Sequence, residues 1–192
     1  VNVENKCKVI LSTSTIKGEG KTFCAINLSL ALASIDKKVL LIGCDLRNPQ
    51  LHKYVNKEKS MPGLINFLMD NKYDWTTLVQ SCFPKIPSHD ILFSGPLPPN
   101  PLQLLSNDNL KLLISQAKNK YDYIVLDTAP TLLVSDTLSI APLSDVIAYV
   151  TRANLTEKEV LQFPKDLINS GKISNVGLII NGLGLVNKYG YS

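Results

Sequence analysis

Five residues, Gly18-Glu19-Gly20-Lys21-Thr22, stand between a short apolar run at residues 8–12 and a helical stretch at 22–34. No other feature constrains the fold of this chain as strongly. A phosphate group needs backbone N–H groups pointing inward, and glycine lets the chain come close to it. A lysine placed here reaches the β- and γ-phosphates, and the next hydroxyl can ligate Mg²⁺. The segment therefore reads as the end of a phosphate-binding P-loop. The full spacing G-x-x-x-x-G-K-[ST] asks for glycine at position 15, where this chain carries Thr15. The plain alternative is a glycine turn joining strand to helix; the strand–loop–helix setting favours the nucleotide.

The rest of the chain alternates in the same way. Apolar runs at 38–42, 90–93, 123–127, 145–151 and 176–181 predict further strands. Helical stretches are expected at 108–120 and at 156–170, the latter kinked or divided by Pro164. The segment 22–34 is nearly apolar all round, which predicts a buried helix. Residues 47–99 are irregular, with short helices expected at 50–55 and 64–70. This alternation predicts an α/β fold, a mostly parallel central sheet with helices on both faces. Right-handed crossovers then bring the loops after the strands to one edge, where the chemistry should cluster. The 192 residues, 45% apolar and 19% charged, suit one globular domain. No repeat or linker divides them.

Composition narrows the function. The net charge of +4 comes from 20 basic and 16 acidic residues, and only Arg47 and Arg152 are arginines. Without a dense basic run, a solvated lysine surface is expected rather than a nucleic-acid partner. Cys7, Cys24, Cys44 and Cys82 form no C-x-x-C pair, and His52 and His89 lie far apart. A zinc site is not expected. Cys24 and Cys44 read as small buried hydrophobes in a reducing compartment. Neither a signal peptide nor an apolar run of about 18 residues is found. His52 reads as structural and Trp75 as a packing residue. The abrupt start at Val1-Asn2 reads as a piece of something longer.

Two more strand ends carry carboxylates. Asp45-Leu46-Arg47-Asn48-Pro49 follows the run at 38–42, and Asp127 closes Tyr-Ile-Val-Leu-Asp. A lone aspartate in such a place is more often a cap or a turn residue. Beside a P-loop, both suit a Mg²⁺ ion or its water next to a phosphate.

Gly-Glu-Gly-Lys-Thr, then Asp-Leu-Arg-Asn-Pro, then Tyr-Asp-Tyr-Ile-Val-Leu-Asp-Thr-Ala-Pro together resemble the bacterial tyrosine kinases of exopolysaccharide export. These are relatives of the partition and septum-site ATPases of the ParA/MinD type. The likeness includes Ser94 to Leu105, Val150-Thr151-Arg152 and the terminal Tyr-Gly-Tyr. It implies a P-loop kinase domain over residues 1–186 and the start of a tyrosine-rich tail at 187–192. ATP would be bound by Lys17, Gly18, Glu19, Gly20, Lys21, Thr22, Phe23, Arg152 and Asn181. Thr22, Asp45 and Asp127 would hold Mg²⁺, and Lys21, Asp45, Arg47 and Asp127 would serve catalysis. Tyr189 and Tyr191 would accept phosphate from a neighbouring subunit. Three open readings stand beside these. Asn181 could be a cap, Arg152 could pair with a surface acid, and Arg47 could either stabilise transferred charge or structure its own loop. Without the resemblance, Tyr-Gly-Tyr reads as a floppy aromatic tail.

The resemblance further implies partners: a second copy of the chain, a membrane-anchored co-polymerase segment on the same polypeptide, and a phosphotyrosine phosphatase. It places the domain in the cytoplasm at the inner face of the membrane, with no nucleic acid. The chain departs from the pattern three times. Gly43 stands where D-x-D-x-R has its first aspartate, Ile16 where the partition ATPases carry a signature lysine, and the E-x-x-R-x-x-R helix is missing from the first eight residues. Gly43 motivates an alternative, a nucleotide-dependent assembly switch with weak or no kinase activity. A ParA/MinD-type ATPase is the third reading, and Ile16 counts against it.

Overall fold

The computed structural model describes residues 7–70, 73–132 and 135–184. Among them, six strands form one sheet: β1 (Lys8–Ser14), β2 (Val39–Gly43), β3 (His89–Leu92), β4 (Tyr123–Asp127), β5 (Val146–Arg152) and β6 (Val176–Asn181). All pairings are parallel, in the order β3-β2-β4-β1-β5-β6. The inner strands are continuous apolar runs because both of their faces are covered. In β2 every residue is buried. Successive side chains point to opposite faces, so Leu40 and Ile42 join one core and Val39 and Leu41 the other.

Seven helices complete the described layers: α1 (Lys21–Ala33), α2 (Leu51–Tyr54), α3 (Leu64–Met69), α4 (Pro101–Leu105), α5 (Asp108–Ala117), α6 (Asp136–Ile140) and α7 (Gln162–Asn169). Buried residues of α1 and α2 pack on one face of the sheet; those of α3 to α7 pack on the other. The expected doubly covered sheet is therefore present.

Several local expectations change. Helix α1 is not buried all round. Ala25, Ser29 and Ala33, four residues apart, lie against the sheet with Ile26, while Phe23 is 48% exposed. An outer-layer helix has only one sheet to lean on, so its opposite side meets solvent. The helix expected at 156–170 is a 3₁₀ turn, Glu159–Leu161, followed by α7. Pro164 sits in the first turn of α7, where its missing N–H has no helical acceptor to lose. It opens the helix instead of dividing it. Helix α5 ends three residues before position 120, and the short helices α4 and α6 were not anticipated. Cys44 is buried but Cys24 only partly so. Trp75 is a packing residue as expected, buried in the core with its indole N–H donating to Gln116 Oε1 at 2.7 Å. Tyr189, Tyr191 and the tail at 187–192 lie outside the described residues.

At the first residue of β3, His89 is wholly buried. Its Nε2 lies 2.8 Å from Ser29 Oγ, and Ser29 Oγ donates to the Ile26 carbonyl. The imidazole N–H is therefore the donor to Ser29. His89 Nδ1 has no partner among the described residues, and Phe83 closes the site edge-on at 5.3 Å. Burial pushes the imidazole pKa down to about 4. The folded state holds it neutral, while the unfolded chain takes up a proton near 6.5. The stability this preference contributes is full above pH 6.5 and is lost as the pH falls towards 4, a swing of about 3 kcal/mol. In urea unfolding, the stability of the wild type relative to His89→Leu should fall by that order between pH 7.5 and 4.5. A pH-independent difference would contradict this account.

Candidate nucleotide site

The strand order places β1 between strands reached by opposite routes. From β1 the chain passes through α1 to β2 on one side, while β5 and β6 lie on the other. A crevice opens at the carboxyl ends of the strands at such a switch point. A cavity of about 700 Å³ lies there, lined by residues from the loop after β1, the loop after β2, helix α2, the loop after β4, and the ends of β5 and β6.

The phosphate loop leaves β1 at Ser14 and enters α1 at Lys21. Gly18 and Gly20 both have left-handed φ, 93° and 95°. Gly20 also has no room for a side chain, since a Cβ there would lie 2.0 Å from Asn181 Nδ2. It caps α1 with no side-chain bond, which leaves the first-turn amides to a ligand. Thr15, the departure from the full P-loop spacing, turns inward. Its hydroxyl lies 3.0 Å from Tyr149 Oη, which is also 2.7 Å from Thr131 Oγ1. The loop is rooted there by a buried hydroxyl network.

Lys21, Thr22, Asp45 and Asp127 meet behind this loop. Lys21 Nζ donates to Asp45 Oδ2 at 2.9 Å and lies 3.6 Å from Asp127 Oδ1. The Thr22 hydroxyl faces both Asp127 oxygens at 2.9 and 3.1 Å. All four residues are buried. Burial pushes the Asp127 carboxyl up to about 6, against the attraction of Lys21. The same burial works against the Lys21 ammonium, but Asp127 and Asp45 outweigh it and hold its pKa above the usual value. Two carboxylates and a hydroxyl form an oxygen-only set of the kind Mg²⁺ takes. Asp45 is fixed by its own loop, with Oδ1 accepting the Asn48 N–H at 3.0 Å.

The other expected residues divide. Lys17, Gly18, Gly20 and Phe23 line the cavity. Glu19 does not; its carboxylate is wholly buried and accepts the Ile16 N–H at 2.8 Å. Arg47 lines the cavity but spends its guanidinium on Asp136, with bonds of 2.7 and 3.1 Å. It therefore ties its own loop to the start of α6. Arg152 donates to the Gly18 carbonyl at 3.0 Å and Asn181 to the Glu19 carbonyl at 2.9 Å. Both line the cavity as well. The sequence reading missed a whole wall: Lys53 and Tyr54 from α2, with Asn48, Gln50, Ala129 and Pro130. Their one available signal was position, in the segments that follow β2 and β4.

Residues 7–167 match the AAA domain family. The tyrosine-protein kinase YwqD of Bacillus subtilis is 36% identical over 192 residues, covering 99% of this chain and 79% of that protein. The chain belongs to the bacterial tyrosine-protein kinases. Tyrosine-protein kinase ptk of Acinetobacter johnsonii is 32% identical over 85% of the chain, which spans only 22% of that protein. The kinase domain of the Escherichia coli tyrosine kinase ETK is similar in structure, with a TM-score of 0.86 and 27% identity over 99% of this chain and 73% of that one. A ParA family ATPase from Chlorobium tepidum shares the fold, with a TM-score of 0.72 and 22% identity over 92% of this chain and 74% of its own.

Position 43, where the resemblance led to the expectation of an aspartate, is packed too closely for one. A Cβ on Gly43 would meet Ser94 Oγ at 2.6 Å, Ser94 N at 3.0 Å and Leu51 Cδ1 at 3.1 Å. The Ser94 hydroxyl donates to the Gly43 carbonyl at 2.8 Å. An aspartate at 43 must displace Ser94. Overpacking of this kind costs about 1–3 kcal/mol. Gly43→Asp should lower the urea midpoint accordingly, and adding Ser94→Gly should recover most of the loss. Wild-type stability of the single variant would show that the end of β2 is not closed by Ser94.

Proposed function

We propose that this chain transfers the γ-phosphoryl group of ATP to tyrosine hydroxyls. The observation that carries the reading is the convergence of Lys21, Thr22, Asp45 and Asp127 at the foot of a glycine-rich phosphate loop. Phosphoryl transfer asks mainly for positioning and neutralised charge. The cavity lining supplies the cations Lys17, Lys21, Arg47, Lys53 and Arg152 against one carboxylate, Asp45. That balance suits a polyphosphate.

In the reaction the bond from γ-phosphorus to the bridging oxygen breaks and a bond to the tyrosine oxygen forms. Lys21 moves its ammonium from the two carboxylates to the phosphates. Thr22, Asp127 and Asp45 would hold Mg²⁺, which supplies further charge neutralisation when bound. Asp45 faces the cavity and is the carboxylate placed to take the tyrosine proton. A tyrosine hydroxyl with a pKa of about 10 benefits from such an acceptor. Helix α2, with Lys53 and Tyr54, forms the wall past which the acceptor tyrosine arrives.

The acceptors in this reading are Tyr189 and Tyr191, presented by one copy of the chain to another. The small share of the Acinetobacter relative that the chain spans supports a kinase domain within a larger co-polymerase, held at the inner face of a membrane and opposed by a phosphotyrosine phosphatase. No helix among the described residues is long and apolar enough to cross a membrane, so attachment would come from outside them. One observation favours a second reading, an assembly switch with weak phosphotransfer: Ser94 fills the place of an aspartate at position 43.

Phosphotyrosine mapping by mass spectrometry on the full-length protein with Mg–ATP separates the two. Tail phosphotyrosine in the wild type, reduced at least a hundredfold in Lys21→Met and Asp45→Asn, is expected. Nucleotide binding without phosphotyrosine, even with the membrane segment present, would sink the kinase reading in favour of the switch.

A further inference from the structure

The phosphate loop is held by side chains from the end of β5, the turn after it and the end of β6. Glu19 is the centre of this contact. Its side chain is wholly buried, in a loop whose task is to attract anions. One carboxylate oxygen accepts the Ile16 N–H at 2.8 Å, and the other accepts the hydroxyl of Thr156. Thr156 lies on the turn after β5, 137 positions along the chain. Its Oγ1 accepts the Arg152 N–H at 2.9 Å, so its own proton is free for Glu19. The Thr156 N–H closes the same turn on the Arg152 carbonyl at 2.9 Å.

The backbone of the loop is gripped from the same side. Asn181 Nδ2 holds the Glu19 carbonyl, and Asn181 Oδ1 is occupied by the Gly182 N–H at 2.8 Å. The Arg152 guanidinium holds the Gly18 carbonyl. A peptide unit is planar and trans, so its C=O and the following N–H point in opposite directions. With the Glu19 oxygen fixed on Asn181, the direction of the Gly20 N–H is fixed with it, at a residue that lines the cavity. The ends of β5 and β6 thereby set the direction of a phosphate-binding amide.

We infer that Thr156 is a positioning residue for the bound phosphates, acting through the Glu19 carboxylate, and that the two work as one unit. The inference rests on the nucleotide reading of the cavity. Glu19 must accept two hydrogen bonds, one on each oxygen, and its buried charge has no other donor among the described residues. A glutamine accepts the Ile16 N–H but turns its NH₂ group on the Thr156 hydroxyl, so that bond is reversed and loses its charged acceptor. A valine at 156 keeps the shape of threonine but leaves one carboxylate oxygen bare, so the carboxylate turns and the loop loses its shape. Serine keeps the hydroxyl. Thr156 is only partly buried and lies outside the apolar core, so the variant should fold, at a cost set by the bare carboxylate oxygen.

The test is the dissociation constant of Mg–ADP, measured by calorimetry on the full-length protein. Thr156→Val and Glu19→Gln should each weaken binding about tenfold, and Thr156→Ser should restore it to within about twofold. The double variant should lose about the same tenfold as either single one, since contacting residues acting as a unit are not additive. Nucleotide-free Thr156→Val should melt lower, since a buried carboxylate oxygen is left bare, and its wild-type circular dichroism at the titration temperature should show that it is folded; rescue of affinity by Thr156→Ser is the readout a merely structural role would not give. Wild-type affinity in Thr156→Val, an equal loss in Thr156→Ser, or a hundredfold loss in the double variant would each overturn the inference. A wild-type protein that fails to bind Mg–ADP would instead bring down the nucleotide reading itself.

Discussion

Lys21, wedged between Asp45 and Asp127, is the interaction on which the rest of this structure turns. One ammonium faces two buried carboxylates, so the cluster carries an excess negative charge inside the protein. The Asp127 carboxyl is raised to about 6 chiefly by its burial, against the attraction of Lys21. Removing one member of a buried ion pair typically costs about 3–5 kcal/mol, because the remaining charge has no water to return to. The cluster joins the starts and ends of three elements: α1 through Lys21 and Thr22, the loop after β2 through Asp45, and β4 through Asp127. It is held at the junction of three chain segments by the need to neutralise charge, and this neutralisation is incomplete. A site with unspent negative oxygens beside a loop of free amides is prepared for both a cation and a phosphate.

The sheet exists to bring those segments together, and most of it could be read from the sequence. Runs such as Tyr123 to Asp127 and Val176 to Asn181 are contiguous and apolar because parallel strands are covered on both faces. Their boundaries followed from composition alone. The carboxylates at their ends were legible for the same reason: a charged residue closing an apolar run stands out. Helix α1 was read as buried all round because its leucines suggested a core. Its true contact stripe is Ala25, Ser29 and Ala33, small residues that let the helix lie close to the strands. Side-chain size decided that face, and a hydrophobicity pattern does not register it.

What could not be read were contacts between positions distant in sequence. Arg47 finds Asp136 across 89 positions, and Glu19 finds Thr156 across 137. Neither partner carries a local signature: Asp136 looks like a first-turn acid of a short helix, and Thr156 like a polar turn residue. Arg47 had two open roles, transferred charge or loop structure, and its bidentate bond to a buried carboxylate places its guanidinium in the second. Asn181 and Arg152 had been candidates for contact with the nucleotide; both donate to carbonyls of the phosphate loop. Both also line the cavity. The wall made by α2 was hidden for a different reason. Four residues of helix within an irregular stretch have no period to detect.

The fold by itself does not choose among the functions. A partition-type ATPase at 22% identity shares it, and fold does not imply function. The distinction lies in how the ends of the strands are finished. At the end of β2, Gly43 and Ser94 pack so closely that the hydroxyl of one caps the carbonyl of the other, and a carboxylate has no place there. The acid chemistry is thereby concentrated on Asp45 and Asp127. Asp127 is engaged by the Thr22 hydroxyl and does not line the cavity, whereas Asp45 does. In the proposed reaction the one open carboxylate beside Lys21 would serve the phosphates' cation and the incoming hydroxyl alike. The closeness of β2 and β3 at this one point, more than the P-loop that announces the family, sets the terms on which this site can work.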